Sequence, residues 1–234
     1  MVIKTAYDKL ETVKAISSLW DPLTADQRTL LLKHITIERF KKNDLIYKEN
    51  ETPTALMCLI KGKVKICKDG VSGRNQIIGV IKPVGLFGYR AYFAKEDYKT
   101  AAAAFETSVI AFIPMEIIIR LIEENSMIGL LFIKELSVGL GQANDRTVNL
   151  TQKHIRGRLA EAIIFLKDNY GVEEDEHTLS IYLSREDLAN LSNMTTSNAI
   201  RTLSAFSTEK IIATDGRKIK VIKDEELRKI SKMG

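Results

Sequence analysis

Apolar and polar positions divide the chain into regions of different periodicity. Residues 24–35 carry apolar side chains at helical spacing, and Thr24 is placed to cap that helix. From Phe40 to Pro114 the pattern changes to short alternating stretches separated by turn residues, which is typical of antiparallel strands in a barrel or sandwich. Helical spacing returns after Pro114. The pattern predicts an α+β chain in which a β-rich N-terminal part is followed by helices.

One stretch of the β-rich region, MCLIKGKVKIC, predicts a hairpin that turns at Lys61-Gly62. Alternation then places four apolar residues on the interior face of the barrel: Met57, Leu59, Val64 and Ile66. Cys58 and Cys67 fall on the outer face, diagonal to one another, and this geometry does not favour a disulfide.

Residues 126–150 have the pattern of a long helix with one apolar seam. The seam residues are spaced by 3, 4, 3, 4 and 3 positions, and they are Ile133, Leu136, Leu140, Ala143, Thr147 and Leu150. This spacing is that of a coiled-coil seam and predicts a homodimer. The alternative is a helix that packs only against the β-domain of its own chain. The seam is weakest at Ala143 and Thr147.

Residues 184–206, SREDLANLSNMTTSNAIRTLSAF, predict two short helices joined by a tight turn. Ser184 and Thr195 are placed as the two N-caps, and Asn193 occupies the turn, where a positive φ is needed. Three residues at helical spacing point inward from the second helix: Ala199, Leu203 and Phe206. The outward residues are then polar: Thr196, Ser197, Asn198, Arg201 and Ser204.

The stretch IIATDGRKIKVI that follows predicts a β-hairpin with Asp215-Gly216 as its turn. Two helices followed by such a wing form a winged helix-turn-helix, whose second helix reads base edges in the major groove of double-stranded DNA. Arg201 is placed for a bidentate contact with guanine. The candidate DNA-binding residues are Ser184, Arg185, Thr195, Thr196, Ser197, Asn198, Arg201 and Lys218. An ordinary antiparallel helix pair with polar caps is the alternative.

Charge and composition refine this picture only modestly. The net charge is +5, but residues 151–234 hold 14 Lys and Arg against 13 Asp and Glu, so the DNA-binding prediction depends on local side chains rather than bulk charge. Two cysteines in 234 residues indicate a reducing, cytoplasmic setting. No apolar run approaches a membrane span, and the first residues lack the apolar core of a secretory signal.

Enzyme motifs are absent from the sequence. It contains no phosphate-binding loop, dinucleotide fingerprint or nucleophile elbow, and its three histidines, His34, His154 and His177, lack metal-ligand spacing. We therefore predict a protein that is not an enzyme and has no metal site. A rival hypothesis is a ligand-binding module whose DNA domain is degenerate.

The chain resembles the superfamily of the cyclic-AMP receptor protein and the fumarate–nitrate reductase regulator (CRP/FNR) from about Leu19 to Val221. The resemblance is carried by three stretches: LSREDLANLSNMTTSNAIRTL, NLTQKHIRGRLAEAIIFL and GLFGYRAYFAKEDYKTAAAA. It implies an N-terminal β-roll (jelly roll) sensor of the cyclic nucleotide-binding type over 1–125, a dimerisation helix over 126–150 and a winged helix-turn-helix over 151–234. It also implies a transcription regulator that binds a pseudo-palindromic operator as a homodimer and contacts RNA polymerase.

The base-reading positions of the superfamily fall on Thr196, Ser197 and Arg201. Only the arginine is retained in type, because serine replaces the usual glutamate at Ser197. The operator sequence therefore does not carry over from the family.

The effector site implied by the resemblance departs from the family pattern. Tyr89 replaces the ribose-holding glutamate, and Lys99 replaces the phosphate-clamping arginine, whose planar fork a lysine cannot reproduce. The purine-holding pair of the dimer helix becomes Ala143-Asn144. The residues at the predicted effector pocket are Gly88, Tyr89, Arg90, Lys99, Thr100, Ala143 and Asn144. We therefore predict that cyclic AMP does not gate this protein.

Other effectors stay open at this stage. An unknown small molecule, constitutive regulation without ligand, and sensing of haem or nitrosative stress are the alternatives. Two cysteines cannot supply the four ligands of an iron–sulfur cluster. Candidate haem ligands are His34, His154, His177 and Met57, and Cys58 is the candidate for a redox switch.

Overall fold

The computed structural model describes residues 8–70 and 75–233, with the side chain of Asn75 excluded. These residues form two compact units. Within the described residues, the first comprises 8–69 and 78–140, and the second comprises 70, 75–77 and 141–233. None of the helices in the described part of the chain is long and apolar enough to cross a membrane.

The first unit begins with three helices: α1 (Lys9–Ala15), α2 (Ser17–Trp20) and α3 (Ala25–His34). The predicted cap of α3 is confirmed. The Thr24 hydroxyl accepts from the Gln27 amide, and the Gln27 side chain accepts from the Thr24 amide, which completes a capping box.

Eight strands follow among the described residues and form two four-stranded sheets. The strands are β1 (Thr36–Phe40), β2 (Leu45–Tyr47), β3 (Ala55–Lys61), β4 (Val64–Asp69), β5 (Asn75–Ile81), β6 (Leu86–Phe87), β7 (Ala101–Ala104) and β8 (Ser108–Pro114). One sheet has the order β1-β8-β3-β6 and the other β2-β7-β4-β5. The short helix α4 (Tyr89–Phe93) lies between β6 and β7. The predicted α+β class with a jelly-roll β-domain is confirmed.

The hairpin predicted at Lys61-Gly62 is wrong. β3 pairs with β8 and β6, whereas β4 pairs with β7 and stands next to β5 in the other sheet. Leu59 lies opposite Ile110 of β8 rather than opposite Val64. A turn between consecutive strands looks the same in sequence whether the strands pair or enter different sheets.

The faces predicted for β3 and β4 are confirmed on the interior side. Met57, Leu59 and Val64 belong to the core between the sheets, and Ile66 packs against it. Cys58 is on the opposite face, as predicted, but it is fully buried in a second core built with α1–α3 and α5. Both cysteines are buried thiols.

Two helices lead out of the roll: α5 (Met115–Glu124) and α6 (Ser126–Gln152). Ile128 and Phe132 are the buried residues of α6, and both join the core formed with α1–α3. Most of the remaining side chains of α6 are exposed.

The second unit contains α7 (Ile155–Tyr170), α8 (Arg185–Leu191), α9 (Thr196–Thr208), β9 (Ile212–Asp215), β10 (Lys218–Val221) and α10 (Asp224–Met233). The predicted wing is present, but its turn is one residue later than predicted. Asp215 pairs with Lys218, which leaves Gly216-Arg217 as the loop. Gly216 supplies the positive φ of 52° in this loop.

Candidate nucleic-acid interface and effector site

The helix-turn-helix begins with a capped helix, α8. The Ser184 hydroxyl oxygen accepts from the Asp187 amide at 2.9 Å, and the hydroxyl donates to the Asp187 carboxylate at 2.7 Å. Leu188 and Ala189 are fully buried, so this helix is fixed by its cap and its apolar face. The predicted N-cap at Ser184 is confirmed.

The turn between α8 and α9 has the geometry predicted for it. Asn193 has a φ of 49°, in the left-handed region that asparagine tolerates better than most residues. On either side, the buried Ser192 hydroxyl donates to the Leu188 carbonyl at 2.8 Å, and the Met194 amide donates to the Ala189 carbonyl at 3.0 Å. These bonds close the end of α8 and fix the turn that leads into α9.

Helix α9 starts at the predicted cap. The Thr195 hydroxyl accepts from the Asn198 amide at 3.3 Å. The three residues predicted to point inward, Ala199, Leu203 and Phe206, are all buried. The cap and the apolar face determine which side of α9 remains in solvent.

The outward face of α9 is a single exposed stripe. Its members within the first three turns are Thr196, Ser197, Ile200, Arg201 and Ser204. Asn198 was also predicted to point outward, but it is partly buried and does not belong to the exposed stripe. The apolar Ile200 was missed by the sequence interpretation, although its position in the outward stripe follows from the same helical spacing.

Arg185 and Lys218 interact with other protein groups near the wing. Arg185 Nη2 donates to the Gly216 carbonyl at 2.7 Å. Lys218 lies 3.6 Å from the Glu173 carboxylate, with its ammonium 5.4 Å from the centre of the Tyr182 ring. Contact of Lys218 with a phosphate would have to compete with these neighbours. The DNA-binding roles of both side chains stay predictions.

In the first unit, the residue that the resemblance places at the ribose-binding position is part of the core. Tyr89 is 8 % exposed, and its ring packs edge-on to Phe132 and Phe93, with centroids 5.1 and 6.3 Å away. Burial raises the pKa of the Tyr89 hydroxyl to about 12. Tyr89 therefore acts as a packing residue between α4 and α6.

The two cations of the predicted effector site share one carboxylate. Glu96 Oε1 accepts from Arg90 at 2.7 Å, and Glu96 Oε2 lies 2.5 Å from Lys99 Nζ. The hydrogen bond from Lys99, followed by that from Arg90, holds the pKa of Glu96 below its usual value. An incoming phosphate would have to compete with this carboxylate for both cations.

Aromatic side chains fill the adjacent interior of the roll. The rings of Tyr47 and Tyr98 stack with centroids 3.9 Å apart, and the Tyr47 and Thr100 hydroxyls lie 3.4 Å from one another. Gly88 has a φ of 85°, and a Cβ there would lie 3.4 Å from the Tyr98 hydroxyl. Of the predicted pocket residues, Gly88 and Thr100 thus lie beside the tyrosine pair, whereas Arg90 and Lys99 form the ion-pair cluster with Glu96.

The remaining predicted pocket residues, Ala143 and Asn144, are exposed on α6 within the second unit. Their role in the pocket stays a prediction. Among the described residues, no group of three or more His, Cys, Asp and Glu side chains could hold a metal. Met57 lies in the roll core, as its position in the alternation predicted.

The candidate redox residue Cys58 is fully buried. Burial raises the pKa of its thiol to about 12, which suppresses the reactive thiolate near neutral pH. This environment does not favour the redox-switch hypothesis.

The predicted dimer seam lies on solvent-exposed surface in the isolated chain. Ile133 and Leu140 are 60 % and 64 % exposed, and Leu136 is also exposed. Met127 and Leu130 extend this apolar surface toward the start of α6. Ala143 and Thr147 are exposed too, and the Thr147 hydroxyl donates back to the Ala143 carbonyl at 3.0 Å. Homodimer formation stays a prediction.

Two family models match the chain in the order of its units. The cyclic nucleotide-binding domain model matches residues 37–125, and the Crp-like helix-turn-helix domain model matches residues 157–230. The first covers the β-roll and α5, and the second runs from α7 into α10.

Known proteins with similar sequences or structures span most of the chain. The global nitrogen regulator of Nostoc sp. is 24 % identical over 190 residues, which are 80 % of this chain and 85 % of that protein. The CRP-like cAMP-activated global transcriptional regulator of Mycobacterium tuberculosis is 21 % identical over 93 % of this chain and 98 % of that protein. The structure of FixK2 from Bradyrhizobium japonicum superposes with a TM-score of 0.76 at 20 % identity, over 84 % of this chain and 96 % of that one.

A β-roll of the cyclic nucleotide-binding type and a Crp-like helix-turn-helix define a DNA-binding transcription regulator. The chain belongs to the CRP/FNR superfamily, as its resemblance predicted. Members of this superfamily regulate transcription and are not enzymes.

Proposed function

We propose that this protein is a sequence-specific regulator that binds a pseudo-palindromic operator as a homodimer in the cytoplasm. The observation that carries the proposal is the two-sided character of α9. One side is buried through Ala199, Leu203 and Phe206, while Thr196, Ser197 and Arg201 stay exposed together. Short polar residues at the start allow close approach to the groove, and Arg201 then reaches guanine O6 and N7.

Dimer formation through α6 supplies the two-fold symmetry that the operator would mirror. The exposed apolar residues at positions 133, 136 and 140 are spaced as in a coiled coil, and a partner helix would remove them from water. Two recognition helices would then meet successive major grooves about 34 Å apart. Contact with RNA polymerase belongs to this proposal as the route by which a bound dimer regulates transcription.

We further propose that cyclic AMP does not control the protein. Two local observations support this. Glu96 forms ion pairs with both Arg90 and Lys99. Tyr89, at the position where the family pattern has a ribose-binding carboxylate, is packed against Phe132. An unknown small molecule, or regulation without ligand, fits the filled roll better than a cyclic nucleotide. Sensing of haem or nitrosative stress stays an alternative, with His34, His154 and His177 as candidate axial ligands.

The first test is selection of bound sequences from random duplex DNA, with wild type, Arg201→Ala and Lys229→Ala compared without ligand. Lys229→Ala removes the same charge from an exposed position on α10 and serves as the matched control. We expect wild type and Lys229→Ala to enrich one pseudo-palindrome. Arg201→Ala should lose about 1–3 kcal/mol of discrimination at one guanine in each half-site.

Two results would contradict the proposal. If Arg201→Ala enriched the same sequences as wild type to the same extent, α9 would not read the bases in the proposed geometry. Enrichment that appears only when cyclic AMP is added, together with tight cyclic-AMP binding by calorimetry, would overturn the proposed independence from cyclic AMP.

A further inference from the structure

The exposed stripe of α9 contains one large apolar side chain, Ile200. It is 50 % exposed, whereas the other large apolar residues of this helix, Leu203 and Phe206, are buried. Ile200 therefore contributes apolar surface to a helix face that is otherwise polar.

Ile200 lies near the middle of that face. It is four residues after Thr196 and three after Ser197, so these side chains are neighbours on the helix surface, and Arg201 is on the same exposed stripe. It is also within the N-terminal half of α9, the part of a recognition helix that approaches the bases.

The side chain is well suited to a fixed contact. A β-branched residue in a helix has one strongly preferred χ1 rotamer, so Ile200 presents nearly the same surface before and after binding. Little side-chain entropy is then lost when it meets a partner. Half of its surface remains to be removed from water.

The major groove offers one apolar group for such a side chain, the C5-methyl of thymine. We propose that Ile200 reads a thymine methyl in the same half-site as the guanine contacted by Arg201. This inference rests on the proposed function and adds to it a specificity-determining residue with a defined base preference. It predicts an A·T pair at a fixed offset from the guanine.

The test uses deoxyuridine, which pairs like thymidine but lacks the methyl group. Starting from the selected operator, each thymine is replaced symmetrically in both half-sites, and Kd is measured for wild type, Ile200→Ala and Ile222→Ala. Ile222 follows the wing strand and is 47 % exposed, so Ile222→Ala removes a similar side chain from outside α9. Thermal melts verify that all three proteins are folded.

At one symmetric thymine position, deoxyuridine should weaken wild type and Ile222→Ala about fourfold per half-site, which corresponds to one buried methyl group. Ile200→Ala should bind the unmodified operator more weakly and be insensitive to the replacement. Ile200→Val should retain part of the sensitivity.

Two outcomes would overturn the inference. In the first, the Kd of wild type is unchanged by deoxyuridine at every position. In the second, deoxyuridine weakens binding equally in wild type and in Ile200→Ala. Either leaves a specific operator in place, so the proposed function would survive. A wild type that selects no operator, either alone or with host extract added as a source of effector, would remove both.

Discussion

Tyr89 is edge-on to Phe132 of α6, with the ring centroids 5.1 Å apart and the ring planes at 61°. This contact joins the short helix of the roll to the long helix that carries the predicted dimer seam. Because Tyr89 is 8 % exposed, the side chain at the family's ribose-binding position has become part of the core. The contact supports the proposal that a cyclic nucleotide is not held here.

Restoring the family glutamate at this position should destabilise the protein rather than create a cyclic-AMP site. Tyr89→Glu buries a carboxylate among aromatic rings, and Tyr89→Ala leaves a cavity that costs about 3 kcal/mol. Tyr89→Phe preserves the ring and should stay close to wild type. Chemical denaturation gives the three free energies of unfolding, and calorimetry tests cyclic-AMP binding. A stable Tyr89→Glu variant that binds cyclic AMP would contradict this account.

The turn of the helix-turn-helix provides a second prediction. Asn193 has a φ of 49°, which costs an alanine about 1–2 kcal/mol and costs glycine nothing sterically. Asn193→Ala should therefore lower the free energy of unfolding, whereas the exposed position should tolerate Asn193→Gly within about 0.5 kcal/mol. Denaturant titration of both variants checks this. If Asn193→Ala and Asn193→Gly lowered the free energy of unfolding equally, the asparagine side chain would matter rather than the backbone conformation.

The dimer seam can be tested with two residues of α6 that are similarly exposed. Leu140 and Val138 are 64 % and 52 % exposed, but only Leu140 falls on the seam. Leu140→Glu places a charge between the proposed partner helices and should shift the protein to a monomer in sedimentation velocity. Val138→Glu should leave the mass unchanged. A monomeric wild type, or a similar shift in both variants, would exclude this seam.

Structural features that depend on neighbouring residues were predicted better than those that depend on residues far apart in the chain. The caps at Thr24, Ser184 and Thr195 and the turn at Asn193 were predicted correctly, because each depends on a few neighbouring residues. Helical spacing likewise separated the buried and exposed faces of α9. The same spacing also contained Ile200, which was missed because only polar residues were considered as base readers.

Strand pairing and the covering of a face depend on distant parts of the chain. Alternation identified the interior face of β3, but it could not show that β3 pairs with β8 instead of β4. Nor could it show that helices bury the other face, where Cys58 is fully enclosed. The packing of Tyr89 on Phe132 has the same origin, since 43 residues separate them.

The acidic segment before the helix-turn-helix gives a prediction about pH. The Asp175 carboxylate accepts from the Thr178 amide at 2.7 Å, the Thr178 hydroxyl at 2.8 Å and the His177 amide at 3.0 Å, and Lys220 of β10 lies 3.1 Å away. These bonds, led by that from the Thr178 amide, hold the pKa of Asp175 well below its usual value. A depressed pKa means that the ionised form stabilises the fold above the unfolded-state pKa of about 3.9, and that this contribution is lost as pH falls through the folded value.

Asp175→Asn should therefore melt at a lower temperature than wild type at neutral pH, and this gap in melting temperature should narrow progressively below about pH 4. Asp215→Asn, at an exposed position on β9, is the charge-matched control, and a gap for Asp175→Asn that is independent of pH would contradict the assignment.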